Sequence, residues 1–412
     1  MSTPFTGIKI VDFTRFFAGP FGTYQFALQG ATVIKVEPLE GDDVRYAGPE
    51  SEWKSKKMAP AFMAMNANKQ SIALDLKRAE SLKIIHELVK DADIVWENFR
   101  PGVASRLKIG YEELSRINPR IIYCAVSGFG QSGPLSAKPS FDGVIQAASG
   151  VMSITGAKET GPTRIGFAAA DQVSGLTAAF GVSAALFERE RTGQGKFVDV
   201  SMMDSMLSLL AQQVAEYTLT GHVPAPSGNR APSKLPTGDR FDCEDGYLMI
   251  AAVTPKQISS LLQPLKLESL LEDDRYNSRE KLISHSTELK SMIERETRKW
   301  KKHDLEAELL KRDVPCGKVN SMEEALNEPQ LAHRHSLLTT HCDDHQVQIM
   351  GAGFQIDKKP STVTAPPPRL GQNTADVLRT LGYSEDQLNQ LVSDKVVYCA
   401  EKPLVHAEAL SG

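Results

Sequence analysis

Residues 78–96 read RAESLKIIHELVKDADIVW, and the fold class follows from the change of rhythm inside that stretch. Leu82, Ile85 and Leu88 recur at helical spacing on one face, so the first part reads as an amphipathic helix. Ile94-Val95-Trp96 then forms a short unbroken apolar run, the mark of a strand buried on both faces. The same alternation fills the first half of the chain. Ile8 to Val11, Thr32 to Val36, Ser71 to Leu76 and Ile121 to Val126 read as further strands. Pro20 to Leu28 reads as a helix with proline early and Gly30 past its end. Strands alternating with helices make a mostly parallel sheet covered on both sides, so the fold class is α/β.

The texture changes after Met206. Leu207 to Tyr217 looks helical, and His222 to Asp239, rich in Pro, Gly and Ser, reads as a long connection. Phe241 to Val253 opens a second unit that continues through charged helices to about Ser321, and Glu323 to Gly351 is transitional. Residues 365–391, APPPRLGQNTADVLRTLGYSEDQLNQL, read as a Pro-rich arm followed by a helix.

Composition sets limits. At 412 residues the chain suggests two to three domains, on a prior of ~150 residues each. The net charge of −4 gives no footprint for nucleic acid. Five cysteines without a CxxC pair argue against a zinc cage or disulfide scaffold and fit a reducing cytosol. The start, MSTPFTGIKIVDF, lacks the basic patch and apolar core of a signal peptide, and no stretch approaches the ~20 apolar residues of a membrane span. A cytoplasmic protein with no membrane partner is expected. Among nine histidines there is no HExxH, and the pair His333 and His335 lies in a charged segment, so no metal is assigned. No GxSxG elbow supports a hydrolase serine.

Several motifs bear on chemistry. GFGQSG, Gly128 to Gly133, matches GxGxxG, but Pro134 and Pro139 leave no room for the helix whose N-terminus receives a pyrophosphate. It reads as a glycine loop shaping a pocket wall, and a nicotinamide dehydrogenase loses its main support. AGP, Ala18 to Pro20, is either a tight turn into a helix or a place where free N–H groups meet an oxygen. ENFRPG, Glu97 to Gly102, follows the fourth strand, where open α/β sheets bind ligands. There Asn98 suits a base or amide, Phe99 an adenine, and Arg100 or Arg106 a phosphate. Lys77, ending LDLK (Leu74, Asp75, Leu76, Lys77), matters only if neighbouring loops make an anion site. Asp171 lies in GFAAADQVSG, Gly166 to Gly175, at the mouth of a Gly/Ala-rich helix that stops at Thr192-Gly193. A carboxylate there serves either as a cap or as a nucleophile or base, and the ten residues alone favour the cap.

Taken in order, these pieces resemble the class III CoA-transferase family, whose superfamily includes formyl-CoA:oxalate transferase, carnitine CoA-transferase and α-methylacyl-CoA racemase. The resemblance runs from GIKIVDFTRFFAGP through GATVIKVEPLEGDDVR, NANKQSIALDLK, WENFRPGVASRL, SGFGQSGP, SFDGVIQAASG, GFAAADQVSG and GQGKFVDVSMMDSM to DGYLMIAA and PRLGQNTADVLRTLGYS. It implies a Rossmann-like large domain with a parallel sheet (residues 1–222), a smaller α+β domain (223–325) and a C-terminal segment returning to the large domain (326–412), in an interlocked homodimer. It implies that Asp171 is the catalytic aspartate, and that CoA meets Phe17, Ala18, Leu74 to Lys77, Asn98 to Arg100 and Arg106. Phe141 and Asp142 match the acyl end of the cleft. The substrates implied are an acyl-CoA and a small carboxylic acid, with no tightly bound cofactor.

The chemistry the resemblance implies passes CoA through Asp171 by way of an aspartyl anhydride and an aspartyl-CoA thioester. A helix start would keep that carboxylate ionised, and N–H groups around Ala18 are candidates to hold the oxyanion. Departures matter too. Formyl-CoA:oxalate transferase has glutamine where Phe17 stands and a tetraglycine loop where this chain has SGNRAPSKLPTGD, which argues against oxalate and for an apolar or larger acyl chain facing Phe17. Pro38 replaces a CoA-contacting arginine, leaving Arg45 as the substitute phosphate ligand. The racemase alternative needs a histidine where Phe141 stands. A non-catalytic CoA-binding protein, with Asp171 only a cap, is the reading from another class.

Overall fold

In the computed structural model, which describes residues 3–400, six parallel strands carry the first half of the chain. They are β1 (Lys9–Asp12), β2 (Thr32–Glu37), β3 (Lys69–Leu74), β4 (Ile94–Glu97), β5 (Ile122–Ser127) and β6 (Lys196–Ser201). Their spatial order is 3-2-1-4-5-6, the doubly wound order whose direction reverses between β1 and β4. A short strand, Val397–Tyr398, runs antiparallel along the outer edge of β3. Five of the strands follow the apolar runs; β6 does not. Its residues alternate half-buried and exposed until Val200, as an edge strand does, so no apolar run marks it.

Helices cover both faces, as a parallel sheet requires. On one side lie α1 (Ala18–Ala27) and, after α2 (Ala79–Lys90) on the opposite side and α3 (Asp142–Ala148), the long α4 (Ala169–Thr192). Ile10, Val33, Ile94 and Trp96 face α1 and α4 in one core, while Val11, Val36 and Val95 face Ile84, Ile85 and Leu88 of α2 in the other. Fully burying an aliphatic side chain of this kind is worth about 1.5–3 kcal/mol. The helix expected at Leu207 to Tyr217 is two, Met202–Leu209 and Ala211–Thr220.

Glycine sets the approach of α1 to α4. A Cβ at Gly175 would sit 2.6 Å from the carbonyl oxygen of Ala18, and one at Gly22 would sit 3.0 Å from the carbonyl oxygen of Gly175. The two helices therefore touch backbone to backbone, and the start of α1 lies against the first turns of α4. This contact brings the AGP segment and Asp171 into one region.

The chain divides into two units. The larger holds the residues up to Met152, Arg164–Pro224 and those from Gln330 on. The smaller holds Ala225–Pro329 together with Ser153–Thr163, a detached piece of sequence. Gly228 donates to the carbonyl of Gly156 across that gap, a bond that nothing periodic in the sequence announces. The small unit is α+β: strands Gly238–Cys243, Gly246–Ala251 and Cys316–Lys318 pair antiparallel, with helices Pro255–Leu262, Ser286–Thr297 and Lys302–Leu310. Phe241, Leu248, Ile250, Leu261, Leu289, Ile293 and Leu305 fill its core. Among the described residues no helix is long and apolar enough to cross a membrane.

Candidate active site

The switch between β1 and β4 is built around buried charge. Asp12 accepts from the N–H and hydroxyl of Thr14, the hydroxyl of Thr23 and the ammonium of Lys69, all of them buried. Lys35, its register partner on β2, donates to the carbonyl of Thr14 at 2.6 Å and to Asp42 at 2.9 Å. Burial works to raise the Asp12 carboxyl, but Lys69, Lys35 and the two threonines outweigh it and hold the group below its ordinary range. Lys69, where burial dominates, is pushed down to about 8. The sequence reading missed this network, which fixes the β1–α1 crossover in place.

Arg45 belongs to it and is not the phosphate ligand expected from the sequence. Its side chain is wholly buried, bonds both oxygens of Glu37 at 2.7 Å, reaches the carbonyls of Lys57 and Pro368, and lies 3.6 Å over the ring of Phe62. No donor is left to point at solvent.

Asn98 is partly committed. Its carbonyl accepts from the N–H of Arg15 at 2.8 Å and its amide donates to the Arg15 carbonyl at 2.7 Å. It joins the carboxyl end of β4 to the β1–α1 loop across the switch and so positions that loop, with one amide N–H of its two unused among the described residues. The other residues expected to meet CoA fall beside one another. Leu74, Asp75, Leu76, Lys77 and Phe99 line a cleft of about 360 Å³ with Phe13, Arg15, Val36, Pro38 and Leu107. Lys77, Arg100 and Arg106 are exposed and make no salt bridge among the described residues. Of these cations only Lys77 lines the cleft, with Arg15, Glu40 and Asp75 as its other charged groups, while Arg100 and Arg106 adjoin its lining residues Phe99 and Leu107 in sequence.

Phe17 and Ala18 open α1, and Phe17 is half-buried against two apolar clusters. The ring turned outward is that of Phe16, whose φ of 62° swings it away from the core. Phe16 meets Phe141 edge to face at 5.7 Å. The apolar wall expected of Phe17 is thus presented by Phe16 and Phe141. Among the described residues nothing accepts from the N–H groups of Ala18 or Gly19.

Asp171 sits in the first turn of α4, but it is not the cap. The capping position is Ala168, which offers no side-chain bond. The acceptor comes from α3: Asp142 Oδ1 takes the N–H of Ala170 at 2.8 Å and that of Asp171 at 3.4 Å. Asp142 Oδ2 takes the amide of Gln146 at 2.7 Å, and Arg164 lies 3.4 Å from the same oxygen. Gln146, fully buried one turn along α3, also accepts from the N–H of Ile165 and donates to the carbonyl of Phe167, tying down the segment that leads into α4. The Asp171 carboxylate makes no hydrogen bond and no ion pair among the described residues. Burial, and then the charge of Asp142, push it up to about 7. The helix start therefore does not hold Asp171 in the ordinary carboxylate range, because desolvation and a like charge exceed what the dipole supplies.

Of the residues expected at the acyl end, the structure brings Asp142 and Asp171 into contact, with Phe141 next to Asp142 in the chain. Beside them it places Gln146, Phe16 and Arg164, which the sequence reading did not name. The spacing of Gln146 four residues after Asp142 was the available signal, since both then lie on one face of a helix.

A family model described as CoA-transferase family III matches residues 5–374. A succinate–glutarate CoA-transferase of Agrobacterium fabrum is 35% identical over 384 residues, covering 92% of this chain and 96% of that protein. An acetyl-CoA:oxalate CoA-transferase of Acetobacter aceti is 38% identical over 337 residues, or 81% of this chain and 85% of that one. Among solved structures, a CAIB/BAIF family protein from Brucella suis shares 32% identity and a TM-score of 0.84, covering 92% of this chain and all of its own. With a match of this extent in sequence and in fold, the chain belongs to CoA-transferase family III.

Proposed function

We propose that this enzyme moves CoA from an acyl-CoA donor to a carboxylic acid through covalent intermediates on Asp171. The observation that carries the reading is the freedom of that side chain: Asp142 caps α4, so the Asp171 oxygens are left without a structural partner. An Asp oxygen attacks the thioester carbonyl, the C–S bond breaks, and an aspartyl anhydride and CoA thiolate result. The thiolate attacks the aspartyl carbonyl, releasing the donor acid and leaving an aspartyl-CoA thioester. The acceptor carboxylate attacks that thioester to give a second anhydride. The returning thiolate then yields the new acyl-CoA and restores the Asp171 carboxylate. No proton is consumed, and one difficult exchange becomes several easier ones.

The orphan N–H groups of Ala18 and Gly19 at the start of α1 are the donors we assign to the oxyanion. The cleft of Leu74 to Lys77 and Phe99 takes the adenosine end of CoA, with Lys77, Arg100 and Arg106 on its phosphates. Dicarboxylic acids are the substrates favoured by the Agrobacterium relative's name; oxalate, named for the Acetobacter relative, belongs in the same acceptor panel. A racemase needs a second base opposite Asp171, and Phe141 cannot supply one. For the homodimer the support is exposed apolar surface on the large unit: Phe180 and Phe187, seven residues apart on one face of α4, are 78% and 67% exposed, and Leu219 on another helix is 84% exposed. Sedimentation at falling concentration reads the dimer directly, and a chain that stays monomeric at every concentration removes that part.

The test of the mechanism is to incubate the enzyme with succinyl-CoA and trap the adduct with hydroxylamine or borohydride. A mass shift confined to the peptide containing Asp171 is expected, and none in Asp171→Ala. Normal CoA transfer by Asp171→Ala, with no adduct on the unaltered enzyme, rules the mechanism out.

A further inference from the structure

We propose that Arg164 selects the acyl group, its guanidinium taking the far carboxylate of a dicarboxylic donor or acceptor. This rests on the transferase reading above and names the substrate class of the same site. Three features of Arg164 support it.

The first is place. One carboxylate, that of Asp142, bonds the backbone of Ala170 and Asp171 through Oδ1 and meets Arg164 through Oδ2. The guanidinium is therefore one side chain away from the turn that carries the nucleophile. The second is fixity. The next residue, Ile165, donates its N–H to the fully buried Gln146 at 2.9 Å, so the backbone beneath Arg164 is anchored in the core. The stem passes over Gly143, where a built Cβ would lie in ordinary contact with Cδ of Arg164, at 3.7 Å.

The third is unused bonding capacity. The contact with Asp142 is 3.4 Å, long for a charge-assisted bond, and Asp142 Oδ2 already holds Gln146 at 2.7 Å. The side chain is 51% exposed. Structural arginines in this protein look different. Arg45 spends its donors on Glu37 and two carbonyls, and Arg189, 4% exposed, bonds Asp93 at 2.8 Å. Arg164 keeps most of its five donors for a planar, doubly accepting partner. Electrostatics give the reason for a cation here. Asp142 and Asp171 already face each other, and an acyl chain bearing a second carboxylate would meet repulsion from both.

The experiment compares succinyl-CoA with butyryl-CoA, which matches it in chain length and lacks the far carboxylate. Each is a donor to acetate, with the unaltered enzyme, Arg164→Leu and Arg164→Lys. Loss of a charged hydrogen-bonding partner predicts a fall in kcat/KM for succinyl-CoA of about ten- to a hundredfold in Arg164→Leu. The fall lies mainly in KM; butyryl-CoA, assayed well above pH 7 so that Asp171 is ionised with or without Arg164, loses several-fold less, and Arg164→Lys recovers part of the loss on succinyl-CoA. Equal losses on the two donors, or no loss on succinyl-CoA, overturn the assignment. An unaltered enzyme that uses butyryl-CoA as well as succinyl-CoA overturns it too, while leaving the transferase reading intact. An unaltered enzyme that transfers CoA from neither donor, to acetate or to glutarate, overturns this assignment, and the adduct test on Asp171 then decides the covalent mechanism separately.

Discussion

Near the carboxyl ends of β1 and β2, Asp12 meets Lys69, Asp42 meets Lys35 and Glu37 meets Arg45, whereas Asp142 and Asp171 face each other with the loosely held Arg164 as the nearest cation. Burial acts on both groups in the same direction, towards the neutral acid. The sign of the neighbour decides the outcome. Asp12 and Glu37 end below their ordinary range because cations and hydroxyls outweigh desolvation, and Asp171 ends near 7 because a second carboxylate adds to it. The first region spends its charges on holding a loop. In the second, the proposed nucleophile, Asp171, has no side-chain partner among the described residues and its neighbour does the holding, the arrangement expected of a site that must react.

Two substitutions test whether that division is real. Asp171→Ala removes a side chain that bonds nothing among the described residues, so CoA transfer falls on the order of 10³-fold or more while resistance to urea stays level or rises. Arg45→Met strands Glu37 in the interior, so stability drops by about 3–5 kcal/mol, and the molecules that remain folded keep their turnover. Replacing Glu37 by Leu as well recovers part of the loss, since an apolar pair leaves no lone charge. Urea titrations and transfer assays on the same preparations read both halves. If Asp171→Ala unfolds as readily as Arg45→Met, the contrast collapses and Asp171 is structural.

The contrast also explains what the sequence disclosed. The α/β class was legible because helix and strand periods alternate plainly between Arg78 and Trp96. Asp171 stood out as a lone acid after a run of small residues, but that pattern alone favoured a cap, and only the family resemblance pointed to chemistry there. Its relation to Asp142 was not, since that depends on α3 and α4 meeting across 29 residues of chain. Lys35 lies inside an apolar run, where nothing marks a buried charge until the register sets it opposite Asp12. Asn98 was assigned to ligand because it follows the fourth strand, and Arg45 because Pro38 stands where the family resemblance places an arginine. The Arg45 donors are in fact taken up by Glu37 and by two carbonyls, and Asn98 bonds the Arg15 backbone 83 residues away with one of its two amide N–H groups.

The smaller effect concerns how much of the Asp171 shift is due to its like-charged neighbour. Attack requires the carboxylate, so kcat/KM climbs with pH through about 7 as Asp171 ionises. The sign for stability is the reverse of a salt-bridged acid. Between its ordinary value of 3.8 and about 7 the folded state holds a proton that the unfolded chain has released. The contribution of this group to stability is therefore full below that window and declines as pH rises through it. Asp142→Asn removes the second of the two causes and keeps an oxygen for the N–H of Ala170. Burial, the larger cause, stays. The acid limb of the profile should then move to lower pH without reaching the ordinary carboxylate range, and Arg164, relieved of Asp142, pulls in the same direction. Butyryl-CoA is the donor to use between pH 5 and 9, since it has no far carboxylate to involve Arg164. A limb that stays where it was means desolvation alone sets Asp171, and the two regions then differ only in the cations one of them has. A limb that moves makes Asp142 a group that holds the nucleophile in place and also tunes the pH at which it becomes reactive.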